Sequence, residues 1–228
     1  MSNQSRTLWT VGVMLCAAAM IFTALVCVVD LEPIGPQESM VGFAGVNGPI
    51  AKTLVYRQGW YTASKLLGYL ALLTAAAFTV LGVIQLARER ALQKVDPRIL
   101  SLMGLYAAVV VLYVLFEKLA LNYRPVMLEA ELEASYPSTH TLLGCCIFLS
   151  AGMVMSQEPA SPLFSVLLRG IPLLLAALTV LSRLLSGVHW FTDIIGGLLI
   201  SAALLTLFRA AMCTLGEKRS NREAQKAS

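Results

Sequence analysis

Four stretches of this chain run without a single Asp, Glu, Lys or Arg: Thr7 to Val29, Leu66 to Ala87, Ile99 to Phe116 and Ala134 to Gln157. Each is near or above the roughly 18 residues that make a candidate membrane span. A fifth apolar block, Gly170 to Phe208, is broken only by Arg183, His189 and Asp193 and suits two spans joined by a tight turn near Gly187. The pattern therefore predicts an all-α, six-helix transmembrane bundle in one domain, residues 1–215. Its helices run about Leu8–Val29, Ala63–Ala87, Ile99–Leu119, Ser138–Met155, Val166–Ser186 and Val188–Ala210.

The connectors carry the breakers and the charge. "LEPIGPQES" opens the segment from Asp30 to about Tyr61, and its prolines and glycine exclude a helix there. The rest of that segment mixes apolar residues with Lys52, Arg57 and Trp60, as a stretch lying on a membrane surface would. "RERALQKVDPR", "LNYRPVMLEAELEASYP" and "SQEPASP" read as loops, and the polar, basic tail 216–228 reads as disordered.

Composition agrees: of 228 residues 57% are hydrophobic and 13% charged, against about 25% charged in soluble domains. The first span is too long for a removable signal peptide and reads as a retained helix. With both termini inside, the inner segments hold eleven Lys and Arg and the outer segments six. The positive-inside rule selects that arrangement, with both termini cytoplasmic. The net charge of +4 reflects this bias and gives no evidence for nucleic-acid binding. The cysteines at 16, 27, 145, 146 and 213 lie in or at the ends of spans and read as buried structural thiols.

Under this topology the unusual polar residues collect at the outer face. Lys118 ends the third helix, Arg124 follows it, "PSTH" (137–140) opens the fourth, Arg183 closes the fifth, and His189 and Asp193 open the sixth. Singly, each has an ordinary reading: a snorkelling cation, a loop cation, an N-cap serine, a hydrogen-bonded histidine. Those readings leave the common face unexplained. His189 and Asp193, four apart, share a helix face, so the carboxylate can hold one ring nitrogen and leave the other free as nucleophile or base. The helix start at Ser138 offers unpaired N–H groups to an anion. With Lys118, Arg124 and Arg183 the set suits phosphoryl transfer. His140 is the only other histidine of the chain and suits acid catalysis on a leaving oxygen. Three cations would repel a metal ion, so no metal or other cofactor is expected.

"K-x5-R-P" (Lys118 to Pro125), "PSTH" and "SR-x5-H-x3-D" (Ser182 to Asp193) resemble the three signature motifs of the type-2 phosphatidic acid phosphatase superfamily. That superfamily contains membrane lipid phosphatases, prenyl diphosphate phosphatases and vanadium haloperoxidases. The resemblance implies that His189 attacks phosphorus, that Asp193 orients it, and that His140 protonates the leaving group and then activates water. It further implies that Lys118, Arg124, Ser138, Thr139 and Arg183 hold the phosphoryl oxygens. Two departures stand out. Five residues separate Lys118 from Arg124 where the family usually has six, and Thr139 stands where it usually has glycine.

The expected function is a metal-independent lipid phosphatase at the outer face of a bacterial-type cytoplasmic membrane. Candidate substrates are undecaprenyl diphosphate, phosphatidate and phosphatidylglycerol phosphate. A phosphotransferase using the same phosphohistidine is the alternative, since the motifs do not separate water from an acceptor hydroxyl. A non-catalytic transporter or scaffold would use the same charges as structural pairs. The haloperoxidase branch fits less well, its members being soluble.

Overall fold

The computed structural model describes residues 1–157 and 161–227, with the middle of the predicted 156–162 turn, residues 158–160, outside the described residues. Among the described residues seven α-helices follow in chain order: α1 (Asn3–Val26), α2 (Ala44–Thr53), α3 (Gln58–Glu89), α4 (Pro97–Leu119), α5 (Thr139–Met155), α6 (Pro162–Leu185) and α7 (Phe191–Ala227). Their starts follow local chemistry. The hydroxyl of Ser2 accepts from Ser5 N, the carboxylate of Asp96 from Arg98 N, and the hydroxyl of Ser161 from Phe164 N. Pro97 and Pro162 stand at first helical positions, where a missing N–H costs nothing. Arg90 and Ala120 end α3 and α4 in the left-handed region (φ 53 and 43°).

Among the described residues, α1, α3, α4, α6 and α7 are long and apolar enough to cross a membrane, whereas α5 has only 17 residues. The six-span expectation included α5. Its place explains its length: it packs against α3, α4, α6 and α7 together, and ten of its residues are buried. Gly144 and Gly152 bring it close to Thr179 and Pro172 of α6, as small residues do at helix contacts in membranes. The outer helices behave oppositely. Leu73 on α3, Val111 on α4 and Leu163 on α6 are exposed, the outward face of a bundle whose solvent is lipid.

α1 lies along α7. Ser5 Oγ is 2.7 Å from Thr214 Oγ1, and Trp9 Nε1 donates to the same oxygen at 3.1 Å. The expected disordered tail is helical instead: α7 passes through Gly216 to Ala227, with Ser2 N donating to Glu217 at 2.9 Å. A partner for its polar end was not visible in local composition.

The segment after α1 is docked rather than spread on a surface. Glu32 and Val41 form a bridge, and Asp30 Oδ2 accepts from Gly45 N at 2.6 Å. Buried Asn47 of α2 donates to Thr192 Oγ1 (2.9 Å) and accepts from Thr192 N (3.2 Å), closing the first turn of α7. Arg57 N donates to Ser186 O at 3.1 Å. The predicted turn at Gly187 is present with φ 69°, and a Cβ there would strike the backbone of Leu54 to Tyr56. Glycine is needed at 187 for both reasons.

Candidate active site

The α4–α5 connection folds back on itself before α5 begins. Tyr123 bridges Ala134, Arg124 N donates to Glu133 O (3.1 Å), and Ser135 N donates to Asn122 O (2.8 Å). Two bonds then fasten this loop to the start of α7: Trp190 Nε1 to Tyr123 O at 2.7 Å and Ser138 N to Asp193 O at 3.0 Å. The loop, the α5 start and the α6–α7 turn thereby meet at one end of the bundle.

His189 lies in the turn before α7, so it does not share a helix face with Asp193 as the spacing suggested. Asp193 is the third residue of α7 and its Oδ2 reaches back to Trp190 N at 2.9 Å, the acidic half of a capping box. From there Oδ2 stands 3.5 Å from His189 Nδ1. Ser135 completes the link, with its Oγ 3.0 Å from His189 Nδ1 and its hydroxyl donating to Asp193 Oδ2. On the other side Arg183 Nη2 is 2.8 Å from His189 Nε2. A guanidinium only donates, which assigns the acceptor role to Nε2 and the ring proton to Nδ1. Burial first, then the charge of Arg183, hold the imidazole well below the ordinary histidine range. His189 is therefore neutral, with its lone pair on Nε2.

Arg183 is 1% exposed. Besides His189 it donates from Nη1 to Ser64 Oγ at 3.1 Å, and its Cζ lies 5.7 Å from the Tyr61 ring centroid. Nε is buried without a partner, and among the described residues no carboxylate is within ion-pair reach of this guanidinium. An uncompensated buried cation is costly, and an anion between Arg183 and its neighbours would remove that cost. Arg124 lies 3.4 Å from Glu133 through Nη1, without hydrogen-bond geometry.

Ser138 is fully buried. Its side chain does not cap α5; instead Ser138 Oγ accepts from Thr141 Oγ1 at 3.0 Å, which leaves its own proton to donate. The amides of Thr139 to Thr141 lack intrahelical partners, as first-turn N–H groups do. Thr139, His140, Arg124 and Arg183 line one cavity of about 450 Å³. Its remaining walls include the apolar side chains of Leu72, Val109, Val110 and Leu143. The two histidines, Asp193, Arg124, Arg183, Ser138 and Thr139 are thus brought to one end of the bundle. Lys118 is exposed on α4 and is not among the residues lining the cavity.

Sequence reasoning passed over Ser135, Ser64 and Gly68. A Cβ on Gly68 would come within 2.9 Å of His140 Cδ2, so Gly68 makes room for the ring. The signal available was a polar pair and a glycine (Ser64, Lys65, Gly68) inside a span that needs none of them. Gly68→Ala is expected to lower kcat about tenfold by displacing His140, since misplacement by a fraction of an ångström is felt in the rate. Gly59→Ala, with open space around its Cβ, is the control, and parallel kcat values check it. Ser135→Ala is expected to lower kcat by about tenfold to a hundredfold with KM nearly unchanged, the scale for groups that orient a reacting imidazole. Ser135→Thr, which keeps the hydroxyl, recovers most of it. Steady-state kinetics on a single substrate read both.

The PAP2 superfamily model matches residues 115–216, a segment running from the end of α4 into α7. No curated protein sequence matches the chain. The fold matches the crystal structure of the first transmembrane PAP2 type phosphatidylglycerolphosphate phosphatase from Bacillus subtilis. The TM-score is 0.59 at 20% identity, over 87% of this chain and 94% of that one. At that identity the likeness is one of fold.

Proposed function

We propose that this chain, whose residues 115–216 match the PAP2 superfamily model, is a membrane lipid phosphatase working through a phosphohistidine. The observation that carries this reading is Arg183, buried without a carboxylate and donating to the lone-pair nitrogen of His189. A phosphoryl group entering there meets a cation and a neutral nucleophile at once.

His189 Nε2 attacks phosphorus, and the bond to the lipid oxygen breaks. The leaving oxygen takes a proton from His140, whose cationic form the bound phosphoryl dianion favours, while the His189 Nδ1 proton stays shared with Ser135 and Asp193. Neutral His140 then takes a proton from water, the resulting hydroxide attacks phosphorus, and the N–P bond breaks to release phosphate and restore His189. Arg183, Arg124, Ser138 and the Thr139 amide hold the equatorial oxygens. Charge neutralisation by these groups is the main demand of phosphoryl transfer, and it lets the reaction run without a metal ion.

The apolar walls at Leu72, Val109, Val110 and Leu143 support a lipid substrate whose chain leaves the site sideways into the bilayer. Phosphatidylglycerol phosphate, phosphatidate and undecaprenyl diphosphate all satisfy this chemistry. The Lys and Arg bias toward the segments on the terminal side supports cytoplasmic termini and a site facing outside.

The test is phosphate release by purified protein in detergent, with a chelator present, on those three lipids. Release that survives the chelator is expected and ranks the substrates. Loss of all release on chelation overturns the metal-free reading. Release only on addition of an acceptor alcohol would identify a transferase instead.

A further inference from the structure

The family pattern places six residues between the lysine and the arginine of the first motif. Counted back from Arg124, that position is Glu117, and the neighbouring Lys118 is exposed and absent from the cavity wall. Lys65, by contrast, lines that cavity together with Arg124, His140 and Arg183.

Lys65 comes from α3, outside the segment matched by the superfamily. Tyr61, Lys65, Gly68, Tyr69 and Leu72 all line the cavity, and their spacing of four, three, one and three is that of one helix face. Gly68 on this face touches the His140 ring position. Ser64, next in sequence to Lys65, receives the hydrogen bond from Arg183. The Lys65 ammonium is held 5.5 Å from the centroid of the Tyr61 ring, the ring that also carries Arg183 at 5.7 Å. Tyr61 thus presents two cations to one space, and neither Lys65 nor Lys118 has a carboxylate within ion-pair reach among the described residues.

We propose that Lys65, from α3, is the lysine that binds the substrate phosphate, in the role the first motif would give to Lys118. This rests on the phosphatase reading above and assigns it one further residue. An ammonium on a flexible stem acts as a point charge and can serve from another helix, where a bidentate arginine could not be moved so freely.

The probe is tungstate, an inert tetrahedral oxyanion, titrated calorimetrically into the purified full chain in detergent. Because it reads binding alone, it separates this proposal from the general one. Absence of lipid phosphate release by the unsubstituted protein would sink the phosphatase reading, while tungstate affinity still reports on Lys65. Lys65→Met is expected to weaken tungstate about tenfold or more, on the scale of a lost charge-assisted contact, and Lys65→Arg to restore most of it. Lys65 is exposed, so its replacement is expected to leave α3 packing intact, and an unchanged circular dichroism spectrum is the control. Tungstate affinity within threefold of the unsubstituted protein in Lys65→Met overturns the proposal. So does a tenfold loss in Lys118→Met, or no measurable binding by the unsubstituted chain.

Discussion

His189→Ala is expected to abolish lipid phosphate hydrolysis, lowering kcat/KM by about 10⁴-fold or more, the scale on which removal of a covalent nucleophile acts. The reason is specific to the arrangement. Nε2 faces the guanidinium of Arg183 at 2.8 Å, so a phosphoryl group drawn to Arg183 is delivered to that nitrogen. The nearby hydroxyls are otherwise engaged: Ser135 Oγ accepts from His189 and donates to Asp193, and Ser138 Oγ accepts from Thr141. Incubation with a ³²P-labelled lipid phosphate followed by alkaline quench should leave acid-labile label on the unsubstituted protein and none on His189→Ala. Label persisting on the variant would move the nucleophile elsewhere. The fold should tolerate the change, because α7 starts at Phe191 and is capped by Asp193 and Asn47, without His189.

Arg183→Lys is expected to be nearly as severe, with a loss of about 10²- to 10³-fold in kcat, as for other removed donors to a developing anion. The charge is kept, so the loss measures geometry. A guanidinium reaches Ser64 with one terminal nitrogen and His189 with the other, and still has Nε to offer. An ammonium cannot span Ser64, His189 and a phosphoryl oxygen in one plane. Arg183→Met separates charge from shape: its apolar stem relieves the desolvation of a buried cation, so it should raise the melting temperature while abolishing activity. A variant with both stability and activity lost would point to a structural role for Arg183. Thermal unfolding in detergent beside kcat decides this.

The membrane helices were legible because apolar length alone specifies them, and charge at their ends specifies where they stop. α3, α4 and α6 lie close to their predicted positions, and the turn at Gly187 was set by the interruption of one apolar block. The motif residues could be read as a group because Arg124, Ser138, Arg183 and Asp193 all fall beside span ends. Local spacing misled at His189 and Asp193. Four residues apart suggested a shared helix face, but α7 begins between them and the carboxylate reaches backward as a cap. The short α5 shows a second limit: apolar content was read correctly, but enclosure by four neighbours was not encoded within the segment. The α3 face was least legible. Ser64 and Lys65 near a span end look like interfacial residues, and only the packing of α3 on α5 and α6 brings Ser64 to Arg183 and Lys65 to the cavity wall. The helical tail was missed for a related reason, since its support comes from Ser2 and α1, more than two hundred residues earlier.

The pinning of α1 to the far end of α7 also bears on traffic. Thr214, which holds Ser5 and Trp9, is twenty-one residues beyond Asp193, roughly 30 Å along a helix rising 1.5 Å per residue. The amino terminus and the end of α7 therefore share one end of the bundle, and His140 and His189 sit at the other. Reporter domains fused at either end should light up in the same compartment. On the function proposed above, inorganic phosphate cut from a lipid would be released on the opposite side, and recovering it would take a separate transport step.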